Sequence, residues 1–151
     1  MRKRLLPLVG LGLLLRAAPA QAQAPKDKPV AASSLAELDQ RIAPAVQKAK
    51  AALPGVQKRY RAGLPKGDVL YLTTQLSDPG GRPTEQLFIR VQQWQGGRVV
   101  GDISNDVLQL KTFHKGQSIN FPESRILDYT ITRANGSEEG NFVGKALEGK
   151  K

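Results

Sequence analysis

Cysteine is absent from the 151 residues, histidine occurs once, tryptophan once, and aromatic side chains make up only 5% of the chain. Each shortage removes something. Without cysteine there is no disulfide, no thiolate nucleophile, and no site for the lipid that a lipoprotein carries on its cleavage-point cysteine. A hydrolase would have to use serine or threonine, with His114 as its sole imidazole base. His114 lies in Thr112-Phe113-His114-Lys115 beside a turn, the ordinary surroundings of a surface histidine. One histidine and scattered acids do not make a four-ligand zinc set. Asp102, Asp106, Glu123 and Asp128 lack the spacing of a calcium loop. Gly80-Gly81 and Gly96-Gly97 punctuate hairpins and precede no helix, so no phosphate-cradling loop is present. The sequence therefore assigns no catalytic residue, cofactor or metal. With so few aromatics, the core must be built from Leu, Val, Ile and Ala.

Long apolar runs are also missing. The longest, Leu5 to Leu15, is too short to span a bilayer. It follows the basic Arg2-Lys3-Arg4 and precedes two small-x-small cleavage signals, Ala18-Pro19-Ala20 and Ala20-Gln21-Ala22. That order predicts a secretory signal peptide over 1–22, cut after Ala22. The protein is then expected to be exported, periplasmic or secreted, and not a lipoprotein. Residues 23–33, rich in Ala, Pro and Lys, read as a disordered linker. Residues 34–148 read as one domain, which suits the chain length, and 149–151 as a frayed tail.

Acidic residues are missing from one stretch. The formal charge is +10. Losing Arg2, Lys3, Arg4 and Arg16 with the leader lowers it by four, to +6. Residues 41–66 carry seven basic side chains and no acid, whereas 67–148 carry eight basic and ten acidic ones. A basic segment thus precedes a slightly acidic one. Export argues against nucleic acid as a partner for the basic segment. A weak contact with an anionic membrane surface through Lys48, Lys50, Lys58, Arg59 and Arg61 is the alternative to a merely solvated face.

What is there sorts by periodicity. Ser34-Leu35-Ala36-Glu37 is a capping box. Apolar residues then recur in steps of three and four from Leu35 through Leu38, Ile42, Ala45 or Val46, Ala49, Leu53, Val56 and Tyr60, one helix stripe. Pro44 and Pro54 predict a helix over 34–52 that is broken or bent at Pro44, a second short helix over 54–62, and a stop at Gly63. From Asp68 the period becomes two. Strands are predicted at Val69–Leu76, Glu85–Trp94, Arg98–Ser104, Gln117–Phe121 and Arg125–Arg133, with a last short strand over Phe142–Leu147. Between the third and fourth lies an irregular crossing with one helical turn at Val107–Leu110. The hairpin Thr84–Asn105 is the centre of the pattern, joined at Gly96-Gly97. On its first strand Leu87, Ile89 and Val91 face one way, and Gln86, Phe88, Arg90, Gln92 and Trp94 face the other.

Several segments resemble the YegJ-like family of uncharacterised bacterial proteins, domain of unknown function 2314. They are the alanine-rich helix ending in Leu-Pro (Ala49 to Pro54), Glu85-Gln86-Leu87-Phe88-Ile89 on a strand, and Gly101-Asp102-Ile103-Ser104-Asn105-Asp106-Val107. Then come Lys115-Gly116, Ile126-Leu127-Asp128-Tyr129, and Gly140-Asn141-Phe142. The resemblance spans roughly Ala45 to Leu147. This chain departs from it at Gln86, where the family has histidine, at Phe88 and Tyr129, where it has tryptophan, and at Val107, where it has proline. The resemblance implies an α+β single domain and no particular activity.

The expected fold is α+β, a broken N-terminal helix packed on a bent antiparallel sheet of five or six strands, or a partly open barrel. Glu85, Phe88, Arg90, Trp94, Asn105 and Asp128 are the candidate binding residues, with Phe88 and Trp94 as aromatic platforms among polar neighbours. They suit a small exported, non-enzymatic binding or interaction module for an envelope protein or glycan. The alternative is a carboxylate-dependent hydrolase of an envelope glycan. It requires Glu85, Asp102 and Asp128 to converge within ~10 Å.

Overall fold

The computed structural model describes residues 23–25 and 35–149. The predicted leader, the capping serine and most of the linker lie outside the described residues. No helix among the described residues is long and apolar enough to cross a membrane.

Helix α1 runs unbroken over Leu35–Ala62, through both prolines. This corrects the expected break. Each proline removes one backbone hydrogen bond and strains the turn before it, at a cost of about 3 kcal/mol in an unsupported helix. Pro44 and Pro54 both lie on the exposed side, where the freed carbonyls meet water. The opposite side buries Ile42, Ala49 and Val56, seven residues apart, and packs Leu53 and Tyr60 on the core. Each large apolar side chain buried there returns roughly 1.5–3 kcal/mol, so packing overrides the prolines. Gly63, at φ 95°, ends the helix.

Six antiparallel strands follow: β1 (Val69–Ser77), β2 (Thr84–Gln95), β3 (Arg98–Ile103), β4 (Ser118–Pro122), β5 (Ile126–Thr132) and β6 (Glu138–Gly140). They form one sheet in the order β4-β3-β2-β1-β5-β6. The sheet has two edges, so it is open rather than a barrel. Its inner face carries Leu70, Leu72, Leu87, Ile89, Val99, Ile103, Phe121, Ile126 and Ile131 against Val56 of α1.

Two bulges set which side chains reach that face. In β2 the register with β3 shifts between Val91 and Gln93. The extra residue inverts the alternation, so Trp94 joins Leu87 and Ile89 in the core while Phe88 faces the other way. The expected sharing of one side by Phe88 and Trp94 is corrected accordingly. A second shift at Thr73/Thr74 leaves Leu127 unpaired between Asp128 and Ile126.

The C-terminal segment also differs from expectation. The short last strand is β6, and Phe142–Leu147 is a helix, α2. Gly140 (φ 82°) and Asn141 (φ 54°) are both left-handed and turn the chain off the sheet. A side chain at 140 would bring its Cβ to 2.3 Å from the Tyr129 carbonyl, so glycine is required there. Phe142 then stacks edge-on against Tyr129, with ring centroids 5.9 Å apart, and Lys48 of α1 lies 4.8 Å over the Phe142 ring.

Candidate interaction surface

The β3–β4 connection, residues 104–117, has no helix or strand, and the helical turn expected at Val107–Leu110 does not form. Side chains hold it instead. Asn105, 7% exposed, accepts the Phe88 amide at its Oδ1 (2.8 Å) and donates from Nδ2 to the Asp106 carbonyl (3.3 Å). Glu85 accepts the Leu108 amide at both oxygens (2.9 and 3.1 Å) and the Gln109 amide at Oε2 (2.9 Å). Asp78, in the β1–β2 turn, accepts the amides of Lys111 (2.9 Å) and Thr112 (3.0 Å) and the Thr112 hydroxyl (2.5 Å). The Thr112 hydroxyl, then the Lys111 and Thr112 amides, hold the Asp78 carboxyl below the usual carboxylate range. Below this lattice Leu110 is buried in the core, with Val107 and Phe113 packed beside it. Above it Leu108 is 72% exposed, the one large hydrophobic displayed among the described residues.

The candidate residues separate into four environments. Glu85 and Asn105 hold this loop. Trp94 is core: its indole Nε1 donates to Glu123 (3.0 Å), and its carbonyl accepts from Arg61 (3.4 Å). Phe88 is buried on the outer face of the sheet, and Arg90 is exposed there between Tyr71 and Asp102. Asp128 is 1% exposed and holds α2. It accepts the amides of Val143 (2.6 Å) and Tyr129 (2.7 Å). Burial raises its carboxyl to about 6 against the pull of those amides and of Lys145.

The three carboxylates do not converge. Asp102 pairs with Arg90 and Asp128 with Thr73, whose other partner is Phe88. From strand spacing and rise, the Glu85, Asp102 and Asp128 backbones are roughly 14–17 Å apart. Each is also engaged, Asp102 by the Gln92 side chain (2.5 Å). His114 is exposed, its ring Nδ1 3.1 Å from the Lys115 carbonyl. Among the described residues, no three His, Asp or Glu side chains gather as a metal site.

A second charged group escaped the sequence reading. Arg59 pairs with both oxygens of Glu139, Arg133 donates to Glu139 (2.8 Å), and Arg133 lies 3.9 Å from Asp68. Arg59 holds Glu139 below the usual carboxylate range. These four residues rim a cavity of about 210 Å³ floored by Leu64, Pro65 and Ile131. Two cations and two anions neutralise one another there. Neither this group nor Asp78 was legible in sequence. The Asp78 partners lie more than thirty residues along the chain, and Asp-Pro-Gly reads locally as a turn.

Fold and site together define an α+β sheet-and-helix domain whose longest connection is fixed by its own side chains. The chain belongs to the DUF2314 family, described as an uncharacterized protein conserved in bacteria, which matches residues 36–150. Neither a curated protein nor a solved structure matches it.

Proposed function

We propose that the protein is an exported, non-catalytic binding module that offers the clamped β3–β4 loop, with Leu108 at its apex, to a protein of the cell envelope. The observation that carries this reading is the loop itself. Fourteen residues without regular structure are uncommon inside a compact domain unless they serve a function. Here Asn105, Glu85 and Asp78 fix them in place. Ordering a loop before it binds removes an entropy cost at association. A leucine held outward on such a loop is placed to enter an apolar pocket on a partner. The basic leader, apolar run and cleavage signals support export. The carboxylates that a glycan hydrolase would use are spent on backbone amides and a glutamine. Contact with anionic lipid through α1 has less support, because Arg59 is engaged by Glu139 and Lys48 by Phe142.

The test is a thermal-shift screen against purified envelope proteins, peptidoglycan fragments and anionic vesicles. A ligand that prefers the folded state raises the melting temperature. Leu108→Asp should abolish the shift given by a protein partner while leaving the unliganded melting temperature unchanged. A shift that survives this substitution, or turnover of a glycan lost in Glu85→Ala, refutes the proposal.

A further inference from the structure

Two burials in this molecule call for partners. The first is on the outer face of the sheet. Tyr71, Thr73, Phe88, Thr130 and Thr132 are 0–7% exposed. Register places them on one surface, facing away from α1: Tyr71 pairs with Thr130, Thr73 with Phe88, and Val69 with Thr132. Helices α1 and α2 contact each other and β5, and Val56 of α1 belongs to the inner core, with Ala52, Leu53 and Tyr60 packed against it. The β3–β4 loop sends Leu110 to that same inner core. Helix α2 reaches this face at Asp128, which register places beside Thr73 and which accepts the Val143 amide; the part still to be accounted for lies over Tyr71 and Phe88. The second burial is Pro25, buried within the short described segment Gln23–Pro25.

We infer that these two burials are one contact: the segment Gln23-Ala24-Pro25 docks across the outer face, over Tyr71 and Phe88. Those two side chains lie on adjacent strands, diagonal across the Tyr71–Arg90 and Thr73–Phe88 pairs, within reach of one another as aromatic neighbours. Aromatic surfaces of this kind receive extended proline-containing segments, which lose little entropy on binding. Proline also suits burial because it brings no backbone N–H that needs a partner. The ten-residue step from Pro25 to Leu35 can span up to roughly 35 Å. The chain therefore occupies its own aromatic face, and a partner using Phe88 must displace residues 23–25. This inference does not depend on the role given to the β3–β4 loop.

The absence of cysteine makes the test direct. A nitroxide on Gln23→Cys, whose side chain is exposed, is introduced into the full chain, and amide signals are compared before and after reduction of the label. Loss of the Tyr71, Thr73, Phe88 and Thr130 signals is expected, with Lys50 and Lys58 on the outward side of α1 unaffected. A label at Arg90→Cys, exposed on the same face beside Tyr71, provides the reciprocal reading, with loss of the Ala24 signal. Uniform signals, or loss centred on α1, overturn the inference.

Discussion

Asp128 makes the stability of this protein depend on pH in a direction opposite to that of most carboxylates. The group titrates near 3.8 when unperturbed and near 6 in the fold, chiefly because burial disfavours its charge. It binds its proton more tightly folded than unfolded, so protonation favours the native state. That contribution is complete below about 3.8 and is lost as pH rises through about 6. For one proton with those two values, stability gains about 1.4 kcal/mol between pH 7 and pH 5, and about 3 kcal/mol over the full range. Asp78 and Glu139 are shifted the other way, so their stabilisation is lost only as pH falls through the lower carboxylate range. Comparison with Asp128→Asn removes every group but the one tested. Asparagine has one acceptor oxygen where the carboxylate uses two. Leaving a buried amide unmet costs about 1–3 kcal/mol, and removing a buried charge at pH 7 returns a similar amount. The two variants should therefore be close at pH 7 and diverge on acidification. The assay is urea unfolding followed by emission of Trp94, the single tryptophan, 4% exposed. With a slope of roughly 1–3 kcal/mol per molar, the wild type should move by roughly 0.5–1.4 M relative to the variant between pH 7 and 5. A difference that stays flat, or slopes the other way, refutes the assignment.

Other outcomes follow from the same contacts. Asn105→Ala leaves the buried Phe88 amide without its acceptor and should lower stability by about 1–3 kcal/mol in the same assay. Gly101→Ala places a Cβ 2.3 Å from the Arg90 carbonyl and 2.7 Å from Ile89 Cγ2. The strand must shift, so a loss of about 3 kcal/mol or failure to express as folded protein is expected. Glu85→Gln loosens the hold on the loop without touching the core. Amide hydrogen exchange at Leu108 and Gln109 should accelerate about tenfold, with global unfolding changed by under ~1 kcal/mol. Uniform acceleration across β2 would show instead that Glu85 supports the sheet.

Much of this architecture was readable from periodicity. The step from a 3.6-residue to a two-residue rhythm near Asp68 located the helix and the first strands, because a half-buried helix and a half-buried strand each need one apolar side. The segments from Ala49 to Phe142 carried the family. Besides the helical turn expected at Val107–Leu110, local rules misread three places, each for a tertiary reason. Pro44 and Pro54 argue for a break, but burial of Ile42, Ala49 and Val56 on the opposite side of the helix outweighs two lost bonds. Trp94 alternates with Phe88 in the sequence, but a one-residue bulge beyond Val91 sends it to the core. Phe142–Leu147 alternates weakly enough to pass for a strand. Two left-handed residues and the Asp128 carboxylate, fourteen positions earlier, make it a helix.

Composition and periodicity by themselves determined which chemistries lack their residues, the order of the elements and the expectation of export. Those depend on residue types and on spacings within one or two turns. Only the tertiary structure decided what the acids do. Asp78, Glu85 and Asp128 look alike in a sequence, and each is defined by amides brought to it from a distant segment. A carboxylate's role is set by what the fold places within about 3 Å of it, and that distance is written nowhere in the chain.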